Sequence, residues 1–563
     1  MPSARRPLAR ALLAVAACAA LAAGLAAAPA SAGTGTQDTT DTAGTAVQAT
    51  RSTPATVTGQ ALPTWQIDGV VWDTVTVGDI VYAVGDFDYA RPPGTPTTSD
   101  QRVARHNILA FDITTGVITE FDHSLNGPGY RIAASPDGTT VYVGGRFTKV
   151  DGKKHNHLAA FDVATGELVN GFKAGAGSAV RAIAVSGSTV YVGGQFDSAG
   201  GPNGWKSRRG LAAFSRGSGN LTRWRPTMAE GFVKALAVLP GGHRIAVGGS
   251  FQRLNGKKKV GIGAVSATTG ATRVWKSRPI PARIGERQSY VSDLIVSGAY
   301  VYATAVGDGG HWYDGRFAAR ASDGKLVWLD NCYGASLSGY VTGNVFYSVS
   351  HAHDCSSLGA FRETKPKTHY FALAETTYAT GTDRSAPSKN SNYKHQPVPS
   401  LLHWFPTLNS GTFTGQHQAA WAITGNGRYV ALAGEFTKVN FHKQQGLTRF
   451  AITSIDSGAT PKWSKYTVPT PKVSTGKITV SWRRTWDADS PTLTYQLLRQ
   501  EVGTDAWVPV KTLKASTKPW KLGTATVSDK GVTPGCSYTY RLLISDPEGH
   551  SYHRTTTQAV TAR

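Results

Sequence analysis

A short phrase recurs along this chain and constrains its fold more than any other feature. It reads Val-Tyr-Ala-Val-Gly-Asp-Phe up to Phe87, Val-Tyr-Val-Gly-Gly-Arg-Phe up to Phe147 and Val-Tyr-Val-Gly-Gly-Gln-Phe up to Phe196. It returns as Ile-Ala-Val-Gly-Gly-Ser-Phe up to Phe251 and Ala-Leu-Ala-Gly-Glu-Phe up to Phe436. Self-similarity of this kind means one supersecondary unit stacked many times, because a single copy cannot bury its own apolar face.

Each copy sits in a longer pattern. An alternating apolar run precedes it (Ile183-Ala184-Val185, Leu236-Ala237-Val238), and a second follows after a polar loop (Leu158-Ala159-Ala160-Phe161, Leu211-Ala212-Ala213-Phe214). A glycine turn then leads to a fourth run closing on an aromatic: Phe121, Phe172, Trp224, Trp275, Trp328, Trp404 and Trp463. Period-two alternation broken by Gly and Asp-Gly turns predicts strands and hairpins. Aligned without gaps, Gly85, Gly145, Gly194, Gly249, Ala305, Ser350 and Gly434 share one position, in steps of 60, 49, 55, 56, 45 and 84 residues. The pattern predicts an all-β chain, a seven-bladed β-propeller over 61–465 with a long insertion in its sixth unit. Leu62-Pro63-Thr64-Trp65 resembles a fourth strand without its first three, so Trp65 is expected in the last blade, closing the ring and covering its edge.

Residues 1–32 form an expected signal peptide: Arg5, Arg6 and Arg10, an Ala/Leu-rich apolar stretch, then Ala30-Ser31-Ala32 as cleavage site. Val15-Ala16-Ala17-Cys18 offers a competing lipoprotein box. No other segment is long and apolar enough to span a bilayer. Residues 33–60 are Gly, Thr, Ala and Ser with few large apolars and are expected to be a disordered linker. The protein is therefore expected to be secreted. In an oxidising compartment Cys332 and Cys355 should form a disulfide, leaving Cys536 alone.

The formal charge of +23 is strongly basic for an exported protein, and removal of three arginines with the signal still leaves +20. Anionic polysaccharide or cell-wall polymer is the expected partner; nucleic acid is not, and nothing suggests more than a monomer. The loops after each phrase share one face and carry Lys153, Lys154, Lys206, Arg208, Lys257, Lys258 and Lys259, with Trp205 among them to stack on a sugar ring. The residue before each motif phenylalanine varies, including Asp86, Arg146, Gln195, His351 and Glu435, as a ligand surface on a repeated scaffold would. The same substitutions also suit polar strand ends.

Chemistry is harder to place. In a closed ring Asp86 and Glu435 become neighbours, and paired carboxylates are what a glycosidase needs. An Asp86–Arg146 pair would instead be structural. His351-Ala352-His353-Asp354 has metal-ligand spacing but no third fixed ligand, so neither metal nor cofactor is expected. Asp487-Ala488-Asp489 is better explained as a turn than as a calcium cluster. No nucleophile elbow, phosphate loop or dinucleotide fingerprint occurs.

After a Pro-containing linker at 466–471 the pattern changes. Ile478-Thr479-Val480-Ser481-Trp482, Leu493–Arg499 and Val532–Leu542 have spacings that resemble a fibronectin type III domain over 472–563. The resemblance implies a β-sandwich in which Trp482 is the core tryptophan and Tyr538 the corner tyrosine whose hydroxyl meets backbone. The repeated part is similar to bacterial secreted delta-60-type repeat propellers, on Gly144–Gly152 and Leu158–Asp162. That resemblance brings no chemistry with it. Two readings follow: a non-catalytic binding or adhesion protein, or a polysaccharide-active glycosidase or lyase using the same face.

Overall fold

The computed structural model describes residues 52–277, 289–307, 313–383, 393–556 and 558–563. The expected signal peptide and most of the expected linker lie outside them. The described residues are all-β apart from one 3-10 turn at Ser356–Leu358.

The repeated phrase forms the middle strand of a series of antiparallel sheets. Among the described residues their first strands are Val70–Val77, Gly129–Ala134, Val180–Ser186, Val233–Val238, Tyr290–Ser297, Ser336–Thr342 and Ala420–Gly425. Each pairs with the strand that carries the phrase, which pairs in turn with the third apolar run. First strands of successive sheets pack on one another, and Ala420–Gly425 returns to Val70–Val77. The sheets therefore follow one another round a propeller-like ring with first strands innermost.

The motif glycines have a steric reason. A Cβ on Gly144 would meet the Val180 side chain of the next sheet at 2.5 Å, and Gly193 and Gly248 face Val233 and Val291 in the same way. The second glycine of the pair lies against its own sheet, where a Cβ at Gly145 or Gly194 would strike the carbonyl oxygen of Pro128 or Ala179. The motif phenylalanines Phe87, Phe147, Phe196, Phe251 and Phe436 are all at most 3% exposed. Such sites tolerate neither added nor removed volume.

Fourth strands are short: Ile118, Leu168 and Leu221 each bridge to Phe111, Phe161 and Phe214 of the third strand. In the last sheet this place is taken from the N-terminal side. Leu62 bridges Arg449, and the Thr58 N–H donates to the Ala451 carbonyl at 2.8 Å. The closing segment thus begins upstream of residue 61, inside the stretch expected to be disordered, and Val57 is 3% exposed. Trp65 lies just beyond this pairing and donates its backbone N–H to the Gly116 carbonyl. Trp463, expected to end a fourth run, is 58% exposed because Leu62 occupies that edge.

In the sixth sheet region Cys332 and Cys355 are disulfide-bonded, as expected. Beside them, fully buried Arg316 pairs with Asp330 at 2.7 Å and Glu375 at 3.1 Å. Asp330, Glu375 and Cys332 converge, but the carboxylates are taken by Arg316 and the sulfur by Cys355. The group is a structural ion cluster.

The C-terminal segment forms two sheets. One contains Thr470–Ser474, Lys477–Arg483 and Thr524–Asp529, and the other is built on Thr492–Glu501 and Ser537–Ser545. Trp482, Tyr495 and Tyr540 fill the space between them. The first strand opens at Thr470, within the expected linker; Pro471 is tolerated because this is an edge strand. The segment is docked on the ring: Trp520 packs edge-on against Phe361, Tyr370 and Phe405, and the Phe405 N–H donates to the Ala488 carbonyl. Asp487 accepts the N–H groups of Asp489 and Ser490, so Asp487–Asp489 is a turn.

Candidate functional site: a basic groove and the mouth of the ring

The loop after each phrase folds into a small hairpin at one end of the ring. Lys149–Val150 pairs with Lys153–Lys154, Ser198–Gly201 with Gly204–Ser207, and Arg253–Leu254 with Lys257–Lys258. Each hairpin also pairs with the chain entering the first strand of its own sheet, as Ala199 does with Ala176. Polar residues at the tips are thereby fixed on backbone ladders.

Two neighbouring hairpins enclose a groove of about 340 Å³ lined by Lys153, Lys154, His155, Lys173, Asn170 and Trp205. Three of the expected ligand residues, Lys153, Lys154 and Trp205, meet here. The lysines are exposed and Trp205 is 44% exposed, with its ring edge turned toward Gly175. His155 lies beneath them, and burial, with Lys173 and Lys153 adding, depresses its pKa. Lys173 belongs to the turn before Gly175 and was not singled out in the sequence, where it stands outside the hairpin pattern.

Farther round, Arg208, Arg209, Arg225 and Asp197 line a second cleft of about 520 Å³. Arg208 is held there, its guanidinium donating to the carbonyls of Ser207 and Thr222. Lys206 stands exposed on the preceding strand. Lys257 and Lys258 are exposed on the next hairpin, whereas Lys259 donates to the Trp275 carbonyl. Arg146 and Gln195 are exposed at strand ends.

The two candidate carboxylates, Asp86 and Glu435, have different surroundings. Glu435 is 2% exposed and accepts from the Thr414 N–H at 2.8 Å, the Thr414 hydroxyl at 2.5 Å and the Trp421 indole N–H at 3.1 Å. Asp86 is raised by burial and by Asp88, with Arg146 opposing. Glu435 therefore serves as an anchor for Trp421. His351 has both ring nitrogens engaged, by the Ala335 N–H and by Gln418, and burial depresses its pKa to about 4. It is a neutral, satisfied side chain.

The sequence pattern did not disclose a second cluster, on the axis. Every first strand carries a bulge near its start, at Trp72, Tyr130, Arg181, Lys234, Ser292, Leu337 and Trp421. Next to the bulges, Arg131 binds Asp73 at 3.3 Å and Asp293 at 2.6 Å, and the Ser338 hydroxyl donates to Asp293 at 2.9 Å. Burial, against the pull of Arg131, raises Asp73 to about 6. Burial and the cations Arg181 and Arg131 lower Lys234 to about 8. One signal was available: Asp73, Arg131 and Asp293 occupy a register position that holds Ala182, Ala235 and Ala422 in other sheets.

No protein-family model matches the chain, and no curated protein matches it. Among solved structures it is similar to a chain of a mitotic checkpoint complex (11% identity, TM-score 0.36, covering 73% of this chain and 99% of that one). It is also similar to an oligogalacturonate lyase in complex with manganese (10%, TM-score 0.34, 70% and 92%). A third is the Neurospora crassa Pan2 WD40 domain (9%, TM-score 0.35, 71% and 98%). Likenesses this distant carry nothing over to this chain.

Proposed function

We propose that this is an exported, non-catalytic binding protein, in which one face of a seven-bladed β-propeller holds an anionic polysaccharide or cell-wall polymer. A fibronectin type III sandwich follows as a docked module. The blade count is supported by the ring order of the first strands and by Leu62 supplying the missing fourth strand. The sandwich assignment is supported by buried Trp482 and by the Tyr538 hydroxyl, which accepts the Thr533 N–H at 3.0 Å.

The observation that carries the functional reading is the groove in which Lys153, Lys154 and Lys173 surround the exposed Trp205. Cations give attraction to a polyanion, and an indole face accepts the apolar side of a sugar ring. The glycosidase or lyase alternative loses support from Glu435, whose carboxylate is committed to Thr414 and Trp421. Passing the secreted protein over immobilised polygalacturonate, teichoic acid and amylose tests both readings. Retention on the two polyanions alone, released by salt and without soluble product, is expected. Equal retention on amylose, or product release, overturns the proposal.

A further inference from the structure

The bulges bring a set of side chains to the mouth of the ring on the same face as the groove, since each first strand starts where the phrase-bearing strand ends. β-Bulges re-aim side chains and gather beside binding sites. Going round the mouth, Trp421 meets Trp72 with ring centroids 4.7 Å apart, Trp72 meets Tyr130 at 6.3 Å, and Arg181 lies 4.8 Å over the Tyr130 ring. Lys234 follows, its nearest charges being Arg181, Arg131, Asp73 and Asp293.

The charges do not balance. Asp73 and Asp293 are both bound by Arg131. Among the described residues no carboxylate pairs with Arg181 or Lys234, so two partly buried cations stand with no anion of their own. The aromatic side is also unfinished. Trp421 is fixed in plane by Glu435, whereas the buried indole N–H of Trp72 has no acceptor among the described residues. Beneath them Arg131 and Asp293 join opposite sides of the ring, so a ligand cannot thread through. Such a set of side chains suits one ring-sized group with an apolar face, hydroxyls and one negative charge.

We propose that this axial mouth binds a single sugar ring bearing an anionic substituent, with the ring against Trp72 and Trp421 and the anion at Arg181 and Lys234. The axial residues bind such a ring whether or not the groove holds a polymer. The anion is a carboxylate or a phosphate, since both present the oxygens that a guanidinium and an ammonium take.

Tryptophan fluorescence of the full secreted chain, titrated with glucuronate, glucose 6-phosphate, glucose and acetate, is the test. A saturable change with at least one charged sugar is expected, and none with glucose or acetate; the tighter of the two charged sugars identifies the anion. Arg181→Gln with Lys234→Met should weaken binding at least about tenfold, the scale of one lost charge-assisted contact. Arg181→Lys, which keeps the charge, should retain most of it and guards against a fold defect. Lys153→Ser, Lys154→Ser and Lys173→Ser together should leave it unchanged. No saturable response to either charged sugar, an equal response to glucose, unchanged affinity in the double variant, or loss in the groove variant overturns the proposal.

Discussion

Arg131 and Asp293 are 162 residues apart and belong to non-adjacent sheets, yet the guanidinium reaches the carboxylate across the ring axis at 2.6 Å. Asp73, from a third sheet, binds the same guanidinium. The innermost strands are thus joined by charge where other positions of the ring are joined by apolar packing.

That arrangement makes Arg131 costly to remove. Arg131→Met leaves two buried carboxylates without the cation that pairs with them directly, which should destabilise by roughly 3–5 kcal/mol. Urea unfolding should show it, and part of the loss should return in acid as both carboxyls protonate. A loss under about 1 kcal/mol at neutral pH would mean that solvent reaches the axis and relieves both charges.

Asp73 sets a pH dependence of its own. Its folded pKa is about 6, against about 4 for an unfolded aspartate. The folded state therefore binds more protons between these values, and stability falls as pH rises through that window. Asp73→Asn removes the titration. Relative to wild type it should be more favourable at pH 7 than at pH 4, by roughly 2–3 kcal/mol. Denaturation at the two pH values gives the difference; a value near zero or of opposite sign contradicts the burial argument.

Exposed groove lysines should behave in the opposite manner. Lys153→Ser, Lys154→Ser and Lys173→Ser should change stability by less than about 0.5 kcal/mol each. Retention on polygalacturonate should nevertheless fall steeply, and the wild type should lose retention with rising salt as its charges are screened. Retention that ignores both salt and the three substitutions would leave the lysines as a solvated surface.

Trp520 is the wedge between ring and sandwich, 5.3 Å from Phe361 and 5.2 Å from Phe405 between ring centroids. Trp520→Ala should cost roughly 2–4 kcal/mol, as large-to-small changes in packed sites do. Calorimetry should show one heat transition becoming two, because the segments then unfold separately. A single unshifted transition would place the coupling elsewhere.

The Cys332–Cys355 bond closes a loop of 23 residues. Replacing both with Ser should lower stability by roughly 3 kcal/mol on the loop-entropy account. Chemical denaturation of the variant against the oxidised wild type measures it.

Repetition made the sheets legible from the amino acids alone. The pairs Gly144-Gly145, Gly193-Gly194 and Gly248-Gly249, with the phenylalanine after each, answer to the same contacts in three units, so they recur and reveal strand, turn and order. Lys153, Lys154 and Trp205 could be named because hairpin tips repeat as well. Glu435 was visible as a carboxylate, but its three hydrogen bonds come from Thr414 and Trp421, and only folding brings Thr414 to it.

The sequence by itself determined the unit, its alternation, its glycines and its disulfide, because these depend on neighbours within a unit or on steric limits that each unit repeats. Only the tertiary structure decided which units face one another across the axis. Arg131, Asp73, Asp293 and Lys234 carry no local mark of their partnership, since ring closure brings together residues from first strands distant in sequence. Closure also decided that Val57 to Leu62 is ordered: a short polar-flanked segment gains its structure from the open edge at Leu447–Ala451, whose unpaired backbone groups it satisfies.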